Sequence, residues 1–134
     1  MKELDTYLLH KQVYLPQGII DEVYKHQDST KIVEFSYHFI VQHLDKYDYK
    51  HYLNKNTLVK IVKNLHSQTP FEVEISKEHR VLKYVVRTTY DATRDVSIVI
   101  IPRGDVAFVK TAWLNDENDK HFTLDKSKYV RHLD

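Results

Sequence analysis

The segment from residue 110 to 129 carries side chains of the kinds that can act on a phosphodiester. It reads KTAWLNDENDKHFTLDKSKY and follows the most apolar stretch of the chain. Its candidate groups are Lys110, Thr111, His121, Thr123 and Tyr129. An imidazole can move a proton near neutral pH, an ammonium group can stabilise developing negative charge, and hydroxyl groups can orient a phosphate. These residue types predict RNA cleavage by attack of a 2′-hydroxyl on the adjacent phosphorus.

Two further candidates lie earlier in the chain. His38 stands near the start of a predicted helix in FSYHF, and Arg87 stands in the middle of a predicted strand in VVRTTYD. A guanidinium group can hold a phosphate through two parallel hydrogen bonds. A charged residue in mid-strand is also typical of a solvated sheet face, so both alternatives stay open for Arg87 and Lys110.

The composition excludes several classes of cofactor enzyme. The chain has no cysteine, which rules out thiolate metal sites and disulfides. Its two glycines, Gly18 and Gly104, stand alone, whereas a P-loop or a dinucleotide-binding loop needs several glycines together. DENDKH brings carboxylates and an imidazole close together, but it lacks the histidine spacing of zinc motifs and the glycine of a calcium loop. We therefore predict neither a cofactor nor a metal ion.

Charge and hydropathy indicate a soluble protein. The formal net charge is +1, so no global basic field marks a nucleic-acid binder. The N-terminus, MKELDTYLLHKQ, lacks the apolar core of a signal peptide, and no run approaches the length of a membrane span. These features predict a cytoplasmic protein with no membrane partner.

The elements that must position the candidate groups change in character near Pro70. The 134 residues are expected to form one domain with a helical part over 30–67 and a sheet part over 70–134. In the helical part, KIVEF reads as extended, and helices are predicted over about 36–47 and from an N-cap near Asn54 to about His66. Residues 1–29 are predicted as an N-terminal arm, with helical patterns at Leu4, Leu8 and Leu9 and over 19–26.

Four strands are predicted after Pro70, namely FEVEIS, RVLKYVVRTTYD, DVSIVIIP and VAFVKTAWLN. Turns separate them at 91–94 and 103–105. Alternation in the second strand places one set of side chains on a common face, namely Leu82, Tyr84, Val86, Thr88 and Tyr90. Helices followed by strands predict an α+β fold, in which the N-terminal helices pack on one face of a twisted antiparallel β-meander of about four strands.

FSYHF, VVRTTYD, KTAWLN and DKHFTLDKSKY together resemble the Barnase–EndoU–colicin–RelE (BECR) superfamily of small ribonucleases, and in particular its phage- and mobile-element-associated members. The resemblance covers about 32–129. It implies helices on one face of a twisted antiparallel sheet, an RNA-binding cleft on the other face, and a toxin-like endoribonuclease. A cognate antitoxin or immunity protein would then be an expected partner besides the RNA substrate.

The resemblance also implies roles for the candidate residues. His121 would be the general acid or base, with His38 as its partner. Arg87 and Lys110 would stabilise the phosphorane, and a hydroxyl set would position it, namely Thr111, Thr123 and Tyr129. This chain departs from related sequences in the helix after His38, where an arginine is common and HFIVQHLDK has none.

A second hypothesis belongs to another class of function. The same fold can serve as a non-catalytic interaction protein of phage or plasmid origin that binds a protein partner or nucleic acid. Such a module needs no convergent catalytic groups, and it is expected to expose an apolar or aromatic patch. The strand VAFVKTAWLN can also act as an edge for homodimer pairing.

Overall fold

A computed structural model describes residues 6–10, 15–42, 44 and 53–116 of the chain. Within these residues, the helices are α1 (Gln17–Ser29), α2 (Tyr37–Gln42) and α3 (Lys55–Lys63). The strands are β1 (Thr6–His10), β2 (Ile32–Phe35), β3 (Glu72–Ser76), β4 (Val81–Thr89), β5 (Arg94–Arg103) and β6 (Val106–Asp116). The fold is therefore α+β, as the order of helical and alternating patterns predicts.

The strands form one six-stranded sheet with the order β1-β3-β4-β5-β6-β2. The antiparallel meander predicted after Pro70 is confirmed as β3 to β6. The prediction of a purely antiparallel sheet of about four strands is wrong at both edges. Strand β1 pairs antiparallel with β3, and β2 pairs parallel with β6. The strand VAFVKTAWLN is therefore not the edge that the sequence suggested, because β6 lies between β5 and β2. Leu8 and Leu9 lie in β1, so the helical pattern predicted there is also wrong.

The three described helices pack on one face of the sheet. Val23 of α1, Phe39 of α2 and Leu58 of α3 are fully buried in the same core cluster. Apolar side chains of the sheet complete this cluster, among them Tyr84, Val86, Val96, Ile98, Ile100 and Val109. Because side chains alternate along a strand, the intervening residues point to the opposite side of the sheet. We call that side the far face.

The far face has a small apolar cluster of its own. Phe71, Val85 and Val99 are buried there, and Trp113 packs against them. No residue of the three described helices belongs to this second cluster. The far face therefore carries both apolar packing and the polar strand residues considered below.

Residues assigned to an N-terminal arm belong to the fold where the structure describes them. Strand β1 forms one edge of the sheet, and Ile19 and Val23 of α1 are buried in the core. The helix predicted over 19–26 is confirmed by α1, and the extended KIVEF by β2.

Two details of the predicted elements are wrong. Leu44 lies in an isolated parallel β-bridge with Leu53, so the helix predicted to reach Tyr47 does not extend through it. The pairing of β4 with β3 shifts register between Glu74 and Ile75 of β3. Val81 and Tyr84 both face the core across that irregularity, while Leu82 is exposed instead of sharing the face of Tyr84.

Asn54 caps helix α3, as the sequence predicts. Its side-chain oxygen accepts a hydrogen bond from the backbone N–H of Thr57 at 3.0 Å. This bond satisfies one of the N–H groups that a helix start leaves without an intrahelical acceptor.

Replacing Asn54 with alanine is expected to lower the free energy of unfolding by about 1 kcal/mol, because the first turn loses that acceptor. Chemical denaturation of the wild type and the variant measures the difference. Asn56→Ala is the matched control, because Asn56 is exposed within the same helix and is not the cap. Equal losses in the two variants would show that the cap contributes nothing specific.

None of the described helices is both long and apolar enough to cross a bilayer.

Candidate active site

Lys110 and Thr111 lie at a β-bulge in β6. Thr111 pairs with Val99 of β5, whereas the next pair along the strand joins Val109 to Ile100. Lys110 is thus the extra residue that the ladder does not pair, and its side chain is exposed. A bulge bends the strand and redirects side chains, which is why bulges recur beside active sites.

Helix α2 starts directly beside this bulge. The backbone N–H of Ser36 donates to the carbonyl oxygen of Val109 at 3.0 Å, and its hydroxyl donates to the carbonyl oxygen of Lys110 at 2.8 Å. The same hydroxyl oxygen accepts from the N–H of Phe39 at 3.1 Å, so Ser36 caps α2 as well. Phe39 is fully buried and fixes the helix against the core.

This anchoring places the start of α2, which carries His38, beside the backbone of Lys110. His38 is two residues from Ser36 and is exposed, and Lys110 is exposed on the bulge to which Ser36 is bonded. Thr111 follows Lys110 and is half-buried on the far face, which is the side of the sheet opposite to the helices. We call this set, His38, Lys110 and Thr111, the bulge corner. It combines an imidazole, an ammonium group and a hydroxyl group.

Arg87 is placed differently from the prediction of an exposed working cation. Its side chain is only 7% exposed, and its Nε donates to Oδ2 of Asp95 at 3.0 Å. The two residues face each other diagonally across β4 and β5, because Thr89 pairs with Asp95 and Arg87 pairs with Ser97. Arg87 is therefore a buried guanidinium with a carboxylate countercharge.

A row of buried polar side chains continues from Arg87 across the far face. Ser97 is fully buried, and its hydroxyl donates to Oδ1 of Asn115 at 2.9 Å. Glu72 is also buried, and its Oε2 accepts no hydrogen bond from the described part of the chain. A buried carboxylate oxygen without a donor carries a desolvation cost, so this face combines paired and unpaired polar groups.

The remaining predicted residues, His121, Thr123 and Tyr129, lie outside the described residues. The same is true of Asp119, which the weak metal pattern in DENDKH includes. Within the described ranges no group of three or more histidine, aspartate or glutamate side chains is arranged to hold a metal ion.

Sequence reasoning missed Asp95, Ser97 and Asn115 as members of the polar row. A signal for Asp95 was present. The turn at 91–94 joins β4 to β5, and residues equally spaced from such a turn face each other, here Thr89 and Asp95. Alternate residues of a strand share a face, so Asp95 lies on the same face as Arg87. The same spacing places Ser97 opposite Arg87. Asn115 carried no comparable signal, because an asparagine in a strand is common on a solvated face.

Comparison with known proteins does not identify a family. No protein-family model, curated protein or solved structure matches this chain. The resemblance to the BECR ribonucleases therefore stays a prediction from the quoted motifs.

Proposed function

We propose that this chain is an endoribonuclease that needs no metal ion and works at the bulge corner. The observation that supports the proposal is the anchoring of α2 on the bulge, which places the helix start that carries His38 beside the backbone of Lys110, with Thr111 as the next residue of β6 on the far face. These groups are the kinds that the reaction requires, and two of them are exposed to a polymeric substrate.

The proposed reaction is a transesterification within the RNA chain. The 2′-oxygen attacks the adjacent phosphorus as it loses its proton to a general base, and the bond from phosphorus to the 5′-oxygen breaks. A general acid gives a proton to that leaving oxygen. His38 moves one of these protons, Lys110 stabilises the charge on the phosphorane, and the Thr111 hydroxyl orients a phosphate oxygen. His121, Thr123 and Tyr129 are the further candidates for the second proton transfer and for positioning.

Arg87 takes a supporting role in this proposal. Its guanidinium is buried and held by Asp95, whereas an arginine that binds a substrate phosphate needs donors that the substrate can reach. We therefore assign Arg87 a structural role on the far face, where it holds β4 and β5 in register and does not contact the phosphate.

Lys110→Ala is expected to lower the rate of RNA cleavage on the order of tenfold to thirtyfold, because the charged phosphorane loses one stabilising cation. The measurement is cleavage of a fluorogenic RNA by purified protein in EDTA, at saturating substrate. Lys77→Ala is the matched control, since Lys77 is an exposed lysine at the β3–β4 turn and lies outside the bulge corner.

Cleavage by the wild type in EDTA, with a loss in Lys110→Ala and none in Lys77→Ala, supports the proposal. Equal activity of all three proteins would remove Lys110 from the site. A wild type that cleaves neither bulk cellular RNA nor ribosome-bound mRNA contradicts the ribonuclease proposal itself.

One observation favours the second hypothesis, a non-catalytic interaction protein. Helix α2 exposes three large apolar side chains, with Tyr37 81%, Ile40 44% and Val41 40% accessible. Exposed apolar side chains that are neighbours on a short helix are typical of a protein-binding surface. If the wild type does not cleave RNA, we favour this second function.

A further inference from the structure

We propose that the outer side of α3, together with the groove beside it, is a second RNA-contact surface that binds the phosphodiester backbone. The inference rests on the proposed function for its ligand, because it takes RNA as the substrate. It adds a binding surface on the helical side of the sheet to the bulge corner, where the chemistry is placed.

The first observation is the segregation of charge. Helix α3 carries exposed lysines and no acidic residue, namely Lys55, Lys60 and Lys63. No aspartate or glutamate occurs from Leu53 to Phe71, while the whole chain has a formal net charge of only +1. Helix α1 shows the contrast, because it contains Asp21, Glu22 and Asp28. A local cationic surface on a nearly neutral protein is the pattern that attracts a polyanion to one side.

The core packing of α3 holds these lysines outward. Leu58 and Val62 are buried in the main cluster, which fixes the rotation of the helix about its axis. Lys60 and Lys63 are three residues apart and therefore neighbours on the helix surface. Two ammonium groups held side by side match the repeating phosphates of a nucleic-acid strand.

The second observation is an open groove next to this surface. It has a volume of about 290 Å³ and lies between α3 and the end of β4. Its lining combines the apolar Ile61 and Leu65 with polar side chains that include no carboxylate, namely Lys60, Asn64, Gln68, Thr88 and Thr89. Amide and hydroxyl groups can donate to phosphate and sugar oxygens. The volume is at the lower end for ligand pockets, which suits one nucleotide unit of a longer strand.

An acidic residue limits the surface at one end. Oδ1 of Asp28 lies 3.4 Å from Nδ1 of His66, just beyond the end of α3. Both side chains are more than half exposed, at 59% and 64%, so solvent screens this contact. The cationic surface therefore extends along α3 and ends near residue 66.

The test measures RNA binding and cleavage separately. Binding uses a short fluorescein-labelled oligonucleotide with 2′-O-methyl groups, which cannot be cleaved by 2′-hydroxyl attack, and fluorescence anisotropy over a series of salt concentrations. The variant is Lys60→Gln/Lys63→Gln. The control is Lys77→Gln/Arg80→Gln, which removes the same charge from exposed positions at the β3–β4 turn. Thermal unfolding checks that each variant is folded.

The α3 variant is expected to bind on the order of tenfold more weakly, and the slope of log K against log salt should become shallower by roughly 1.4, which is two single-strand phosphate contacts. Cleavage of ordinary RNA should show a raised KM and a kcat within about twofold of the wild type, because uniform binding is lost. The control variant should match the wild type.

Three outcomes overturn the inference: the α3 variant binds as the wild type does, the control variant weakens binding equally, or polyglutamate displaces the oligonucleotide as well as RNA does at equal charge. Failure of the proposed function looks different. In that case the wild type binds the oligonucleotide in an α3-dependent way but leaves ordinary RNA intact. That result would support the RNA-contact surface and contradict the ribonuclease function.

Discussion

Replacing Asp95 with alanine is expected to lower the free energy of unfolding by about 3 kcal/mol, because a buried guanidinium then loses its carboxylate countercharge. The Arg87 side chain is only 7% exposed, and its Nε lies 3.0 Å from Oδ2 of Asp95. A charge in this position keeps the cost of leaving water whether or not its countercharge is present. Urea denaturation of the wild type and Asp95→Ala measures the difference.

A neighbouring ion pair on the same sheet supplies the control. Nζ of Lys83 lies 3.4 Å from Oε2 of Glu74, and the two side chains are 20% and 27% exposed. Water screens that pair more, so Glu74→Ala should cost about 1 kcal/mol or less. Equal losses for Asp95→Ala and Glu74→Ala would show that burial of Arg87 adds nothing to the interaction.

The same variants separate a supporting Arg87 from a catalytic one. Arg87→Met/Asp95→Ala should lower the free energy of unfolding by less than the sum of the two single changes, because the double variant leaves no charge of the pair without its partner. Under the proposed ribonuclease function, Asp95→Ala should retain the wild-type cleavage rate below its unfolding transition. A loss of more than about a hundredfold in Arg87→Met, with Asp95→Ala active, would instead place Arg87 on the phosphate.

The sequence predicts the meander well because its signal is local. Alternation with a period of two marks each strand, and the short turns at 91–94 and 103–105 leave antiparallel pairing as the natural connection. The structure confirms β3 to β6 in that order. The alternating pattern of each strand therefore predicts the centre of this sheet without information on contacts between residues that are distant in sequence.

The two edge strands could not be predicted in the same way. Strand β2 pairs in parallel with β6, and the partners Ile32 and Val106 are far apart in sequence. The sequence of a four-residue extended segment does not indicate which distant strand it pairs with. In β1, TYLLH fits a helical face as well as a strand, and only the pairing with β3 decides between them.

His38, Lys110 and Thr111 were chosen as candidates by residue type, and their arrangement at the bulge was not predicted. Strict alternation from Ala107 and Val109 puts Lys110 on the far face and Thr111 on the core side. The bulge shifts the alternation by one residue, so that Thr111 takes the far face and Ala112 the core. A faint signal exists in Lys110–Thr111, where two adjacent polar residues interrupt the alternation. The hydrogen bond from Ser36, which brings His38 to this corner, has no signal in the sequence.

His26 is a buried connection between the helical layer and the sheet. It is 8% exposed, its Nδ1 lies 2.8 Å from the hydroxyl of Tyr84, and its Nε2 lies 3.0 Å from the carbonyl oxygen of Val106. A carbonyl oxygen can only accept, so Nε2 carries the proton and donates. Nδ1 therefore accepts from the hydroxyl group of Tyr84 in the neutral ring. One imidazole thus joins α1 to both β4 and β6.

His26→Ala is expected to lower the free energy of unfolding by about 3 kcal/mol near neutral pH, because two hydrogen bonds and the packing of a ring are lost. The variant also leaves the buried hydroxyl of Tyr84 without its acceptor. Lys25→Ala, one residue earlier on the exposed side of α1, is the matched control and should change stability little. Urea denaturation of the three proteins gives the values.

The loss of stability in His26→Ala should also depend on pH in a defined direction. Burial lowers the pKa of His26 below its ordinary 6.5, and this effect outweighs the hydrogen bond to Val106, which raises the pKa. The folded protein then binds fewer protons at this site than the unfolded chain does, so stability rises with pH. The contribution of His26 to stability is fully present above the pKa that this residue has in the unfolded chain. It is lost as the pH falls through the lower pKa of the folded state. The difference between the wild type and His26→Ala should therefore narrow from about pH 8 to about pH 5. A difference that stays constant over this range would show that His26 titrates alike in both states, and burial would then not govern its protonation.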